Sequence, residues 1–351
     1  MLMDWKRLFN PDCHNVVGLD IGSSSVKLVQ LRKNAGRWAV AAAATADISG
    51  GNRRTADRKK AVLTAIRNCV RSAGIETKFA VCGVGGPEVA VRCFKFPAMP
   101  TDEIASAVLL EAEQVCPFNV AEGVIDYQLI PNGNNSVTGV LVAATKRVIK
   151  SKSEPVKQAF LTNILMDVDG LALLNCLDEC EQSQAGSAIA ILNVGCSCTS
   201  LAIKGGNNMP FIRDMSYGNE ETAGKIPAEK DSLTGREPAA LPNGVNSGQN
   251  TQRPGQGLEK AFDKLIVDVT ETLRYYSAEQ KSALVEKIFV CGGLALKDGF
   301  VQHLNEKLPA PAVLWNPFER ISCGPLCPSE DLLGKKGPAF AVAAGLAMRS
   351  I

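Results

Sequence analysis

Histidine is nearly missing from this chain: His14 and His303 are the two among 351 residues. Structural zinc takes paired Cys and His ligands, with a matching second pair at close spacing. Twelve cysteines with so few histidines do not make such a framework. The pairs Cys176/Cys180, Cys323/Cys327 and Cys196/Cys198 therefore read as thiols of the core or surface, as do Cys69, Cys82 and Cys291 in apolar segments. No apolar run reaches the roughly 20 residues that a membrane-spanning helix needs. The longest, Ala39–Ala46 and Ala339–Met348, fall well short. Met1 to Pro11 lacks the apolar core of a signal peptide, which predicts a cytoplasmic protein with reduced thiols. That segment does set Leu2, Trp5, Leu8 and Phe9 at helical spacing beside Lys6 and Arg7, a pattern of a frayed tail or of a segment that dips into a membrane surface. No basic run or aromatic–basic stripe occurs and the net charge is +2, so nucleic acid is not expected as a partner. G-x-x-x-x-G-K-[ST] is absent, which excludes P-loop chemistry.

What is present is the balance of a globular protein with a substantial core, 46% hydrophobic and 21% charged residues, in a chain long enough for two or more domains. Val16–Leu19 and Val26–Leu31 read as strands around the polar tip Asp20-Ile21-Gly22-Ser23-Ser24-Ser25. A third strand, Trp38–Ala46, follows a turn at Asn34–Gly36. Arg58–Ala73 has the period of a helix, with Val62, Ile66, Val70 and Ala73 on one face and Gly74 as its stop. Phe79–Val84 completes a β-β-β-α-β unit. The same hairpin then recurs. Leu19–Leu28 reads Leu-Asp-Ile-Gly-Ser-Ser-Ser-Val-Lys-Leu, and Leu192–Leu201 reads Leu-Asn-Val-Gly-Cys-Ser-Cys-Thr-Ser-Leu, about 170 residues later. An internal repeat of this kind predicts two similar α/β lobes facing one cleft.

Between the repeats, 89–163 reads as a small α+β insert: a strand at Val89–Phe96, a helix over Asp102–Cys116 capped by Thr101, strands at Val124–Ile130 and Val137–Thr145, and a helix through Lys150–Leu161. The first lobe is then expected from 14–88, 164–187 and 336–351, and the second from 188–335. Lys225–Gly257 is rich in Gly, Pro, Ser and Asn and holds no aromatic residue, the composition of a disordered loop. A long amphipathic helix follows, with Leu258, Phe262, Leu265, Ile266, Val269, Leu273 and Tyr276 on one face. The strand Lys287–Val290 leads into Cys291-Gly292-Gly293-Leu294.

Three glycine-bearing turns thus follow strands: Asp20–Lys27, Asn193–Thr199 and Gly292–Leu294. Backbone amides and hydroxyls of such turns can wrap phosphate oxygens, because glycine permits close approach. The candidate nucleotide-binding residues are Asp20, Gly22, Ser23, Ser24, Ser25, Lys27, Asn193, Gly195, Thr199, Gly292, Gly293 and Leu294. Asp20 is the candidate for holding magnesium through water. Lys27 adds positive charge near phosphates, and Gly292 and Gly293 leave room for a flat base or ribose.

In this order the three turns resemble the two phosphate motifs and the adenosine motif of the actin, sugar kinase and Hsp70 superfamily. Within it the chain resembles the type IV pilus assembly PilM family. The likeness lies in Val17–Lys27, Glu111-Ala112-Glu113-Gln114 with Pro117-Phe118, Asp126-Tyr127-Gln128, Val142-Ala143-Ala144-Thr145-Lys146 and Asp167-Val168-Asp169. It continues in Asn316-Pro317-Phe318 and Ala341–Ala347. The resemblance implies a two-lobed actin-like (ribonuclease H-like, duplicated) α/β fold. The small insert would match the subdomain that this family shares with the cell-division protein FtsA. It also implies ATP and Mg2+ as cofactors and a scaffold, peripheral at the inner membrane. Its groove between the first lobe and the insert would bind the N-terminal cytoplasmic tail of a PilN-like membrane protein, alongside other pilus assembly proteins and further copies of itself. Asp167 or Asp169 stands where relatives place a water-orienting residue, although either reads equally as a helix cap. The family has Asp where this chain has Asn193, and its Ala-Glu-x-x-Lys segment survives only as Ala228-Glu229-Lys230. The first departure predicts weak or absent hydrolysis, because an amide cannot orient magnesium and its water; the second bears on the hold on adenine, and so on ATP binding. The competing readings are an FtsA- or MreB-like filament protein and a sugar or acetate kinase on the same fold.

Overall fold

The structure is a computed structural model. It describes residues 16–34, 36–49, 56–131, 136–181, 187–205, 209–216, 256–279, 284–323 and 329–349. Met1–Pro11, His14, Ala228-Glu229-Lys230 and nearly all of the Lys225–Gly257 stretch lie outside the described residues.

Two sheets carry the repeat. The first contains β1 (Val17–Ile21), β2 (Ser25–Asn34), β3 (Arg37–Asp47), β4 (Phe79–Val84) and β8 (Thr162–Val168), in the order β3-β2-β1-β4-β8. The second contains β9 (Ala188–Val194), β10 (Thr199–Lys204), β11 (Pro210–Met215), β12 (Val285–Cys291) and β13 (Ala312–Leu314), in the order β11-β10-β9-β12-β13. Each is therefore an antiparallel three-strand meander followed by two parallel strands, with the same order and sense. A short β14 (Ser322–Cys323) adds to the β3 edge of the first. The repeat read in the sequence is thus a repeat of topology.

Helices layer the sheets because their apolar stripes need a partner face. The α1 (Ala56–Ala73) and α3 (Lys146–Gln158) helices cover the outer face of the first sheet and bury Ile66, Cys69 and Val156 against Leu19, Leu28 and Cys82. The α5 (Gln256–Glu279) and α6 (Phe300–Lys307) helices cover the outer face of the second, where Phe262, Leu265, Tyr276 and Phe300 meet Leu192 and Val290. Between the sheets run α4 (Asp169–Cys180) and α8 (Ala341–Ala347), preceded by α7 (Glu330–Lys336). This middle layer is packed backbone to backbone. A Cβ on Gly345 would fall 1.9 Å from the Ala172 carbonyl oxygen, and one on Gly18 would fall 2.0 Å from that of Ala343. The alanine-rich C-terminal segment is therefore clamped between the first sheet and α4, and α4 in turn packs on β10 and β11 of the second.

The insert is a three-stranded sheet, β5 (Val89–Pro97), β7 (Ser136–Thr145) and β6 (Gly123–Leu129) in that order, with α2 (Thr101–Val115) on one face. Its bounds are narrower than the sequence suggests. The helix expected to close the insert is α3, which begins at Lys146, capped by the Thr145 hydroxyl, and packs on the first lobe. Likewise 322–323 and 329–336 join the first lobe: β14 pairs with β3, and the Ser329 hydroxyl donates to the Ala43 carbonyl. Thr101 is the first helical residue of α2 and makes no cap bond. Gly74, with φ of 63°, ends α1 as expected.

Candidate functional site

The two hairpins meet across a cleft of about 780 Å³. Their turns are built alike. Gly22 N–H donates to the Ser25 carbonyl at 3.0 Å, and Gly195 N–H donates to the Cys198 carbonyl at 3.0 Å. A Cβ at either glycine would fall within 2.9 Å of the carbonyl it pairs with. The cross-strand partners also correspond: Asp20 faces Lys27, and Asn193 faces Ser200. The third turn closes onto the second. Gly292 has φ of 94°, and a Cβ there would fall 2.5 Å from the Val194 carbonyl oxygen and 2.6 Å from Asn193 Oδ1.

Asp20, Gly22, Ser23, Ser24, Ser25, Lys27, Asn193, Gly195, Gly292, Gly293 and Leu294 all line this cleft. Lys27 Nζ lies 3.2 Å from Asp20 Oδ2, an ion pair across the first hairpin. Two expected residues lie elsewhere. Thr199 is fully buried with its hydroxyl unpartnered, because its position on β10 turns it into the second-lobe sheet. Asp167 points away: on β8 it pairs with Arg349 on the wall of a separate concavity between the first lobe and the insert. A strand would hold Asp167 and Asp169 on one face, but β8 ends at Val168 and α4 begins at Asp169, which turns the second carboxylate away from the first.

Asp169 does line the cleft, as the first residue of α4. Its carboxylate lies over β4 and the turn beyond, where a Cβ on Gly83 would meet Oδ1 at 2.1 Å and one on Gly85 would meet Oδ2 at 2.7 Å. Oδ1 is shut from solvent without a hydrogen-bond partner. Burial first, then the charge of Asp20, pushes the Asp169 carboxyl up to about 7, against the pull of Lys152.

Sequence reasoning missed several groups. Asp214 on β11 accepts from Ser200 Oγ at 2.5 Å and from Gly86 N–H at 2.5 Å, the latter a bond between the lobes. Burial raises its pKa, and those two bonds hold it down. Lys152 of α3 donates to the Ile21 carbonyl, and Arg58 of α1 to the Ser23 carbonyl. The Gly85-Gly86-Pro87 run after β4 was the available signal for that wall; Lys152 was hidden because its helix reads as part of the insert. Cys69, Cys82, Cys93, Cys116, Cys176, Cys180, Cys198 and Cys291 are free thiols. Burial pushes Cys69 and Cys82 up to about 12, as suits core thiols. Among the described residues no three Cys, His or carboxylate side chains form a metal cage. Magnesium keeps several waters and takes one or two carboxylates plus substrate phosphates. Asp20 and the orphaned Asp169 oxygen fit that demand, and the paired glycine turns fit phosphate.

A second concavity, about 730 Å³, lies between the insert and the first lobe. Strand β6 and strand β8 are each the outermost of their sheets among the described residues, and both border it. Its walls carry Ile130, Val140, Val142, Leu165, Leu171 and Leu174, with Asp126, Asp167, Asp178, Lys204 and Arg349 as the charged lining. The insert's helix does not line this slot. Instead α2 covers the other face of the insert sheet, through Ile104, Val108 and Ala112 against Leu141 and Phe94.

Duplicated sheets of this order, a middle helical layer and paired phosphate-type turns define an actin-like ATPase fold. The chain belongs to the family described as type IV pilus assembly protein PilM, whose model matches residues 18–351. It is similar in structure to a protein solved in a PilM–PilN type IV pilus biogenesis complex, with a TM-score of 0.77 and 22% identity over 96% of this chain and 98% of that one. More distant likenesses in fold are glycerol dehydratase reactivase and a diol dehydratase-reactivating factor in nucleotide-free form. Each has a TM-score of 0.50 and 10% identity over 94% of this chain and 98% of the other.

Proposed function

We propose that this protein is a cytoplasmic scaffold at the inner membrane. In this reading the groove beside the insert takes the N-terminal tail of a PilN-like membrane protein, and the cleft binds ATP with magnesium without appreciable turnover. The observation that carries the reading is the groove itself: two sheet edges, β6 and β8, flank an apolar floor. An extended peptide can add a strand to such an edge while alternate side chains enter the pocket. The family membership and the likeness to a chain solved with PilN support that occupant.

Calorimetry with the tail peptide of the cognate membrane protein tests this. Binding is expected to the full chain, and Val142→Asp, which puts a charge on the floor, is expected to weaken it by about tenfold or more. An unchanged affinity in a variant that melts like the wild type would move the peptide elsewhere; absence of binding in the wild type would end the reading.

Of the cleft, Asp20, Gly22 and Ser23–Ser25 would hold the phosphates on one side and Gly195 on the other, with Gly292 and Gly293 against the nucleoside. Bound magnesium would neutralise phosphate charge. Because ligand binds the folded state alone, ATP with magnesium is expected to raise the melting temperature, by an amount set by the ratio of ligand to Kd. Asp20→Ala is expected to remove the magnesium-dependent part of that rise. No shift with any nucleotide would mean a lobe pair that has lost its ligand and persists as a scaffold alone.

A further inference from the structure

The outer layer of the first lobe carries a feature that neither cleft nor groove uses. Helix α1 ends on Gly74 in the left-handed region, as helices commonly do. Helix α3 ends two residues before Phe160, which stands in the same region with φ of 64° and is the non-glycine residue to do so among those described. A bulky side chain is disfavoured there, and glycine is the residue that adopts it freely. Phe160 gains no burial in exchange, since it is 79% exposed. Its ring is held from one side by Arg67 of α1, whose guanidinium lies 5.9 Å from the ring centroid and donates to the Gln158 carbonyl at 2.9 Å. Phe79 heads β4 opposite Thr162 and is 43% exposed, and Ile164 two positions on is 36% exposed. Three apolar side chains thus stand out at the α3–β8 corner.

The ground around them is basic. Helices α1 and α3 each carry five Lys or Arg against one acidic residue, in a chain whose net charge is +2, so the rest of the molecule is net acidic. Arg58 and Lys152 serve the cleft. Lys60, Arg67 and Arg71 follow one another along an exposed stripe of α1, and Lys157 and Lys78 precede the two phenylalanines; all five are exposed.

We infer that this corner is a docking surface for an anionic lipid bilayer, with Phe160 entering the headgroup region and the basic stripe lying over it. A projecting aromatic set among basic residues is what an interfacial anchor requires. Each Lys or Arg near an anionic surface strengthens attachment about fivefold. Protein–protein interfaces, by contrast, are depleted in lysine at their centres, and this patch has few acidic residues to balance one. The inference goes beyond the peptide groove, whose lining does not include Phe79, Phe160 or Ile164, and does not depend on it.

Sedimentation of the full chain with extruded vesicles is the test. Binding is expected to phosphatidylcholine vesicles containing phosphatidylglycerol and not to phosphatidylcholine alone, and to weaken as salt rises. Arg67→Glu combined with Lys78→Glu is expected to abolish it. Phe160→Gly is expected to lower vesicle affinity by about tenfold while leaving the melting temperature unchanged or higher, because glycine relieves the backbone. That pairing separates lost docking from lost folding. Binding to neutral vesicles equally well, no binding to either, or full binding by Phe160→Gly would overturn the assignment. So would vesicle-negative protein that holds polyglutamate through Phe160 and Arg67, which would make the patch a site for an acidic protein.

Discussion

Asn193→Asp is expected to raise ATP turnover by about 100-fold over a wild-type rate near background, read as phosphate release in single-turnover and steady-state assays. Phosphoryl transfer asks little covalent chemistry of a protein; positioning and charge do most of the work, and one placed polar group accounts for ~10²–10³ in rate. Asn193 is the penultimate residue of β9 as Asp20 is of β1, and both line the cleft. Its amide oxygen lies 3.8 Å from Cys291 Sγ and above Gly292. An amide fills the place of a carboxylate without its negative charge, so it cannot orient magnesium and its water in the same way. The aspartate variant changes shape hardly at all, which makes the comparison clean. Asn193→Ala serves as the control and is expected to stay at the wild-type rate. Brisk hydrolysis by the wild type would remove Asn193 as the deficit, and so would an aspartate variant that binds ATP but turns over no faster.

The hairpins were legible because their chemistry is local. A strand, an Asp or Asn, a Gly-Ser turn and a second strand fit inside ten residues, and the alternation of Leu19, Ile21, Val26 and Leu28 fixes which side chains go inward. Both copies fold with the register that their alignment implies. Residues that reach the cleft from elsewhere were not legible. Lys152 comes from a helix whose period says that it is amphipathic but not which sheet it covers, and Pro155 inside it gave no help. Asp214 stands behind the cleft wall, meeting Ser200 because β11 lies beside β10, and its bond to Gly86 depends on how the lobes sit together. Asp167 and Asp169 show the limit from the other direction. Both are acidic and two residues apart, yet one ends in an ion pair with Arg349 and the other over Gly83, since β8 gives way to α4 between them. Periodicity places a residue on a face; only the packing of faces decides what it meets.

That difference gives Asp169 its pH dependence, and Asp169→Asn is expected to stabilise the protein by roughly 2–4 kcal/mol at about pH 8. The native carboxyl is raised from 3.8 to about 7, by burial above all and then by Asp20. In the unfolded chain it releases its proton near the ordinary value. Between those two values the native state binds the extra proton, so stability falls as pH rises. Below about pH 4 the cost is absent, and above about pH 7 it is fully present. The asparagine variant does not titrate there and keeps the side chain's shape over Gly83 and Gly85. Urea unfolding of both proteins from about pH 4 to pH 8 is therefore expected to give curves that converge at the acid end and separate steadily towards the alkaline end, with equal slopes against denaturant. Asp20 contributes to the upward push, so Asp20→Asn is expected to narrow the gap at pH 8. A gap independent of pH would mean that the buried Asp169 oxygen has a partner in solution. A wild type more stable than the variant at pH 8 would mean that a cation already rests on the carboxylate there, and added chelator would then reverse the order.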